Sequence, residues 1–136
     1  MTGTSREIAG KIQLSGQSNQ FNFSPPLQTH ADPYFIRLYI NDMEDGKATD
    51  YYERCVKPRD TICLKNGQVI TFKGELVIQD NRTIELIPNG AGYGVADLQL
   101  PNQPSDYANI SFAALRLQVS QPLNIEHIVW HRYESK

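Results

Sequence analysis

The stretch Tyr34-Phe35-Ile36-Arg37-Leu38-Tyr39-Ile40 decides the fold class. Successive side chains of a strand point to opposite faces, so Tyr34, Ile36, Leu38 and Ile40 share one face while Phe35, Arg37 and Tyr39 share the other. Pro33 precedes the run, where a strand tolerates a residue with no N–H. The pattern predicts a core strand with an amphipathic outer face. The same period recurs in Ser111–Val119, which places Ala113, Leu115, Leu117 and Val119 against Arg116 and Gln118.

Between these two strands, residues 51–87 read as a meander of hairpins. A Pro58-Arg59-Asp60 loop sets Val56 opposite Ile62, Cys55 opposite Cys63 and Glu53 opposite Lys65. Asn66-Gly67 is a signal for a two-residue type I′ turn, which sets Leu64 opposite Val69 and Cys63 opposite Ile70. Ile70, Phe72, Leu76 and Ile78 keep one parity through Gly74, predicting one long strand bent or bulged at the glycine. An Asp80-Asn81-Arg82 loop then pairs Ile78 with Ile84 and Leu76 with Leu86.

Near the start, Glu7–Leu14 and Asn19–Ser24 are expected to form a first edge hairpin. The segment Ile125–Tyr133 is read as a strand because of its β-branched residues, with a short helix capped by Asn124 as the alternative. Roughly seven to nine short strands separated by turn signals predict an all-β, antiparallel sandwich or jelly-roll, with a closed barrel as the alternative. The 136 residues are read as one domain, 1–136, of a size that buries roughly two-thirds of its unfolded surface without a metal or disulfide.

Composition removes several partner classes. With 13 Lys and Arg against 15 Asp and Glu and no basic run, there is no electrostatic footprint for phosphate, so no nucleic acid is expected. No segment approaches the roughly 20 apolar residues of a bilayer span, so no membrane is expected either. Met1–Lys11 has no apolar leader core, which makes the cytoplasm the default. A mature chain whose leader was removed would be secreted instead. Three glycosylation sequons, at Asn22, Asn81 and Asn109, keep that open.

Candidate chemistry lies in a few clusters. His127 and His131 have the spacing of a helical zinc pair, but on a strand they lie roughly 13 Å apart and cannot share an ion; His30 has no spacing that links it to them. Cys55 and Cys63 face each other in the expected register, within reach of a disulfide; two buried thiols in a reducing cytosol explain the same letters. Asp42, Glu44, Asp45 and Asp50 gather hard oxygen ligands in one loop, which makes calcium the one cofactor to consider; the EF-hand spacing is absent, however, and a solvated acidic turn shaped by Asp45-Gly46 is the favoured reading, with no cofactor expected. The glycine-rich Pro88–Gly94 run lacks the lysine of a phosphate-binding loop and is read as a flexible loop presenting Tyr93 or, equally, as a mobile connection whose tyrosine packs back on the domain. Of Tyr51 and Tyr52, a strand turns only one to the core.

No serine elbow, thiol–histidine pair or assignable carboxylate pair is present, so a non-catalytic role is expected. The leading expectation is a recognition module that binds carbohydrate or a protein surface through loops 41–52 and 88–95, using Tyr51, Tyr52, Tyr93, Asp42, Asp45 and Asp50. The alternative is a structural subunit of a homo- or hetero-oligomer that pairs through its edge strands or its C-terminal tail.

Overall fold

The computed structural model describes residues 5–28, 34–101 and 109–132. They form a β-sandwich. The first sheet runs in the order β1 (Ser5–Ala9), β12 (His127–Arg132), β4 (Tyr34–Tyr39), β9 (Val95–Gln99), β8 (Ile87–Gly92). The second runs β3 (Ser18–Gln28), β10 (Ser111–Val119), β6 (Val69–Ile78), β5 (Thr61–Cys63), with β7 (Thr83–Glu85) also beside β6. Two short strands, β2 (Ile12–Leu14) and β11 (Leu123–Ile125), pair separately. Among the described residues all pairings are antiparallel and no sheet closes into a barrel. The strands outnumber the expectation because β2, β5, β7 and β11 are only three residues long and leave almost no periodic signal.

The alternation of β4 is realised: Tyr34, Ile36, Leu38 and the following Ile40 are buried, each contributing roughly 1.5–3 kcal/mol of apolar transfer. They meet Phe72 and Leu76 of β6, Leu115 and Leu117 of β10, and Ile128 and Trp130 of β12 in one core. Trp130 stacks on Tyr34 at 4.9 Å and leans on Phe112 at 6.0 Å, which joins the two sheets through an aromatic contact. On the outer face, Arg37 makes a two-pronged ion pair with Asp97 and lies 5.0 Å from the centre of the Phe35 ring.

Several expected registers are corrected. Cys63 pairs with Val69 and Ile62 with Ile70, one residue away from the expected pairing. The reason is the turn: a type I′ loop needs positive φ at both central residues, and here only Gly67 (φ 90°) has it. The Gln68 carbonyl accepts from the Leu64 N–H at 2.9 Å and the loop is therefore the three residues Lys65-Asn66-Gly67. At the next hairpin Leu76 pairs with Ile84, two residues from expectation, because Asn81 (φ 72°) closes a loop of residues 79–81. That slip preserves the faces; the first one reverses them.

β6 does run unbroken through Gly74, but its pairing with β10 is continuous there. The bulge lies at Ala113, between the Phe112–Ile78 and Ala114–Val77 pairs, and it turns Phe112 rather than Ala113 to the core. Gly74 is needed for close packing instead. A Cβ there would meet Leu98 Cδ1 at 3.0 Å, Leu117 Cδ2 at 3.1 Å and the Arg116 carbonyl at 3.2 Å.

The first two strands do not form a hairpin. β1 pairs with β12 and β3 with β10, so they lie at the edges of different sheets. The C-terminal segment is strand over 123–125 and 127–132, as its β-branched residues indicated, and the helical alternative does not occur there; Tyr133 lies outside the described residues. Residues 52–56 are corrected from strand to one turn of π-helix, in which the Lys57 N–H donates to the Tyr52 carbonyl at 2.8 Å.

Candidate functional site

The acidic segment after β4 is held by backbone bonds before any side chain acts. Met43 bridges Leu64, the Glu44 N–H donates to the Cys63 carbonyl at 2.9 Å, and the Lys65 N–H donates to the Asp42 carbonyl at 2.8 Å. Residues 42–44 thereby extend along β5. The chain then turns through Gly46 (φ 82°) into the helical turn that carries Tyr51 and Tyr52.

Two further links fix this turn. Cys55 and Cys63 form a disulfide, buried on both sides, between the helical turn and β5. The bridge was legible as a proximity, although the two cysteines are not strand neighbours. Arg54 supplies the other link: Nη1 and Nη2 donate to Glu44 Oε1 and Oε2 at 2.8 and 2.9 Å, while Nε and Nη2 reach Asp50 at 3.2 and 3.1 Å. The Arg54 hydrogen bonds hold both carboxyls below their ordinary range.

The second segment, 88–95, is a β-hairpin rather than a mobile loop. Its tip, Tyr93-Gly94, has φ 53° and 83°, so the type I′ turn expected at Asn66-Gly67 is found here instead, with a tyrosine in the first central position. The Ile40 N–H donates to the Gly94 carbonyl at 2.8 Å and the Gly90 N–H to the Arg59 carbonyl at 2.9 Å. Gly90 (φ 96°) lies in a bulge between the Pro88–Leu98 and Ala91–Ala96 pairs.

These two segments are walls of one open cleft of about 1180 Å³. Tyr51 spans it: a Cβ on Gly46 would lie 3.5 Å from Tyr51 Cε2, and one on Gly92 would lie 3.8 Å from the Tyr51 hydroxyl oxygen. Burial, followed by the Glu44 carboxylate, raises the Tyr51 hydroxyl above the usual phenol range and keeps it a hydrogen-bond donor. Tyr52 is 61% exposed and Tyr93 fully exposed, and both line the same space.

Of the six expected binding residues, Tyr51, Tyr52, Tyr93 and Asp45 line the cleft; Asp42 and Asp50 do not. Among the calcium candidates, Glu44 and Asp50 are engaged by Arg54, and Asp45 Oδ1 accepts from the Lys47 N–H at 3.1 Å. Glu44 also lies close to both sulfurs of the bridge, which as a disulfide offer no thiolate to a metal. Sequence reading missed Lys57, Arg59, Lys65 and Asn89, which also line the cleft. Their placement follows from the helical turn and the hairpin register, neither of which periodicity reveals.

The histidines lie elsewhere, on the outer face of the first sheet. His127 Nδ1 is 2.7 Å from Glu7 Oε1, and His131 Nε2 is 3.1 Å from the Tyr39 hydroxyl. Both are on β12, where the strand geometry separates them; His30 lies outside the described residues. Among the described residues no helix is long and apolar enough to cross a membrane. The three sequon asparagines, Asn22, Asn81 and Asn109, are exposed.

No family model matches the sequence, and no curated protein matches it. Among solved structures, that of Pseudomonas aeruginosa AlgX is similar over 93% of this chain and 26% of that one, at 14% identity and a TM-score of 0.48.

Proposed function

We propose that this domain is a non-catalytic recognition module whose cleft binds carbohydrate. The observation that carries the reading is Tyr93. It is a fully exposed aromatic held at the tip of a hairpin whose backbone is bonded to Ile40 and, farther along, to Arg59, beside a cleft that also holds Tyr51 and Tyr52. A tyrosine fixed this way offers an apolar face and a hydroxyl with little ordering left to lose, which suits the faces and hydroxyls of a sugar ring. Asn41, Thr49 and Asn89 add neutral donors and acceptors around it. A bridged cysteine pair fits an oxidising compartment, where extracellular glycans are met.

Glycan-array binding, run with and without calcium, tests this. Retention of a glycan that is lost in Tyr93→Ala and Tyr52→Ala supports the reading, and the calcium arm shows whether Asp45 and its neighbours need an ion. Tyr93→Asn is the control for the turn, because asparagine tolerates positive φ while removing the ring. No retention by the natural chain, in either arm, overturns the carbohydrate reading and leaves the surface to a protein partner.

A further inference from the structure

The charges around the cleft do not follow those of the chain. The whole protein carries a net charge of −2, yet Lys57, Arg59 and Lys65 line this one surface. Against them stand two carboxylates, Glu44 and Asp45. Glu44 is already gripped on both oxygens by Arg54, so its charge is spent within the protein. Asp45 is left as the one uncompensated acid among the lining residues, against three cations. Lys57 is tied only to Glu53, at 3.3 Å between two exposed side chains, a pair worth little in water.

Arg59 is the best placed of the three. Its carbonyl accepts from the Gly90 N–H, and its Nη1 donates to Asn89 Oδ1 at 2.9 Å, so the side chain is laid against the bulge of β8. A Cβ on Gly90 would lie 3.9 Å from Arg59 Cδ, an ordinary contact distance that places the arginine stem alongside the bulge. With Nη1 oriented by Asn89, Nε and Nη2 have no acceptor among the described residues. Those two N–H groups are the fork that meets a carboxylate in two parallel hydrogen bonds.

We propose that the saccharide taken by this cleft is acidic, a uronate-bearing chain whose carboxylate is held by Arg59 while Tyr93 stacks on a ring. This rests on the carbohydrate reading above and adds the chemical class of the ligand. Lys57 and Lys65 supply a diffuse positive field, and Arg59 supplies the directed contact.

Calorimetric titration of the full chain with a uronate tetrasaccharide and with its carboxyl-reduced, neutral counterpart separates the two claims. The expected result is that the neutral sugar binds about tenfold more weakly, the scale of a hydrogen bond to a charged group at a wet surface. Arg59→Gln is expected to remove that preference and Arg59→Lys to keep only part of it. Raising NaCl from about 0.05 to about 0.3 M weakens the uronate and spares the neutral sugar. Equal binding of the two sugars overturns the acidic class and leaves the carbohydrate reading standing. A uronate preference that persists in Arg59→Gln overturns the assignment of Arg59. Binding of neither sugar, nor of any array glycan, overturns both.

Discussion

Glu44 and Arg54 face each other through two parallel hydrogen bonds of 2.8 and 2.9 Å, and this pair ties the acidic segment to the turn that presents Tyr51 and Tyr52. Its removal by Arg54→Met strands the Glu44 carboxylate and releases Asp50 at the same time. A lower melting temperature is expected and, on the carbohydrate reading proposed above, weaker glycan binding as well, with the tyrosine rings themselves untouched. Thermal melts and titrations of the same variant check this; an unchanged affinity would mean that the backbone bonds to β5 hold the segment unaided.

The same pair gives a pH dependence with a definite sign. Arg54 holds Glu44 and Asp50 below their ordinary values of 4.5 and 3.8, so the folded state binds fewer protons than the unfolded one near those values. The stabilisation is complete above the ordinary carboxylate range, begins to fade as pH enters it, and is lost as pH falls on through the lower folded-state values. Melting temperatures followed downward from about pH 6 should decline less steeply in Glu44→Gln than in the natural chain.

His131 acts in a different window. Burial, then the charge of Arg37, depresses its pKa below the ordinary 6.5, outweighing the opposing pull of Asp97. The unfolded chain therefore takes up the proton first. Stability falls as pH drops through 6.5 and the full penalty is present once the folded imidazole is also charged. His131→Gln keeps a polar partner for the Tyr39 hydroxyl and is expected to flatten the melting profile between about pH 7.5 and 5. An unchanged profile would show that the Tyr39–His131 contact does not titrate with folding.

The Cys55–Cys63 bridge closes a short loop, with a sequence separation of 8. Chain-entropy arguments assign such a loop about 2 to 3 kcal/mol. The double substitution Cys55→Ala and Cys63→Ala should lower the urea midpoint accordingly, and the natural chain in reductant should follow it. The single tryptophan, Trp130, is buried between Tyr34 and Phe112, and its emission reports the global transition.

Gly74→Ala tests the contact between the sheets. The added methyl meets two leucine termini, which can shift, and the Arg116 carbonyl, which is part of a paired strand. A loss of about 1–3 kcal/mol is expected, in the range of overpacked cores. A neutral outcome would show that Leu98 and Leu117 repack freely.

Sequence reached furthest where one face of a strand is buried along its length. β4 and β10 were bounded and faced by alternation alone, apart from Ala113, since a bulge leaves no mark in a single strand's letters. Registers failed where turn chemistry decides them. Asn66-Gly67 reads as a type I′ turn, yet Asn66 stays at negative φ; Tyr93-Gly94, which adopts that turn, carries a tyrosine that no propensity places there. The helical turn at 52–56 carries no helical period because its hold comes from a disulfide to β5 and from Arg54 reaching back to Glu44, both outside the turn itself. The two segments of the cleft were legible as candidates, whereas Arg59 became visible only once the β8 hairpin and the 58–60 turn were placed side by side.

The two walls of the cleft differ in how they are built. One is a hairpin woven into a five-stranded sheet; the other is a surface segment fastened by one covalent bridge, one arginine and a few backbone bonds. Such a site behaves like a vice with one fixed jaw and one adjustable jaw. Apart from Met43 and Cys55, which are buried, the residues of 41–57 lie outside the core, so substitutions at exposed positions there can reshape this jaw while the two sheets keep their packing.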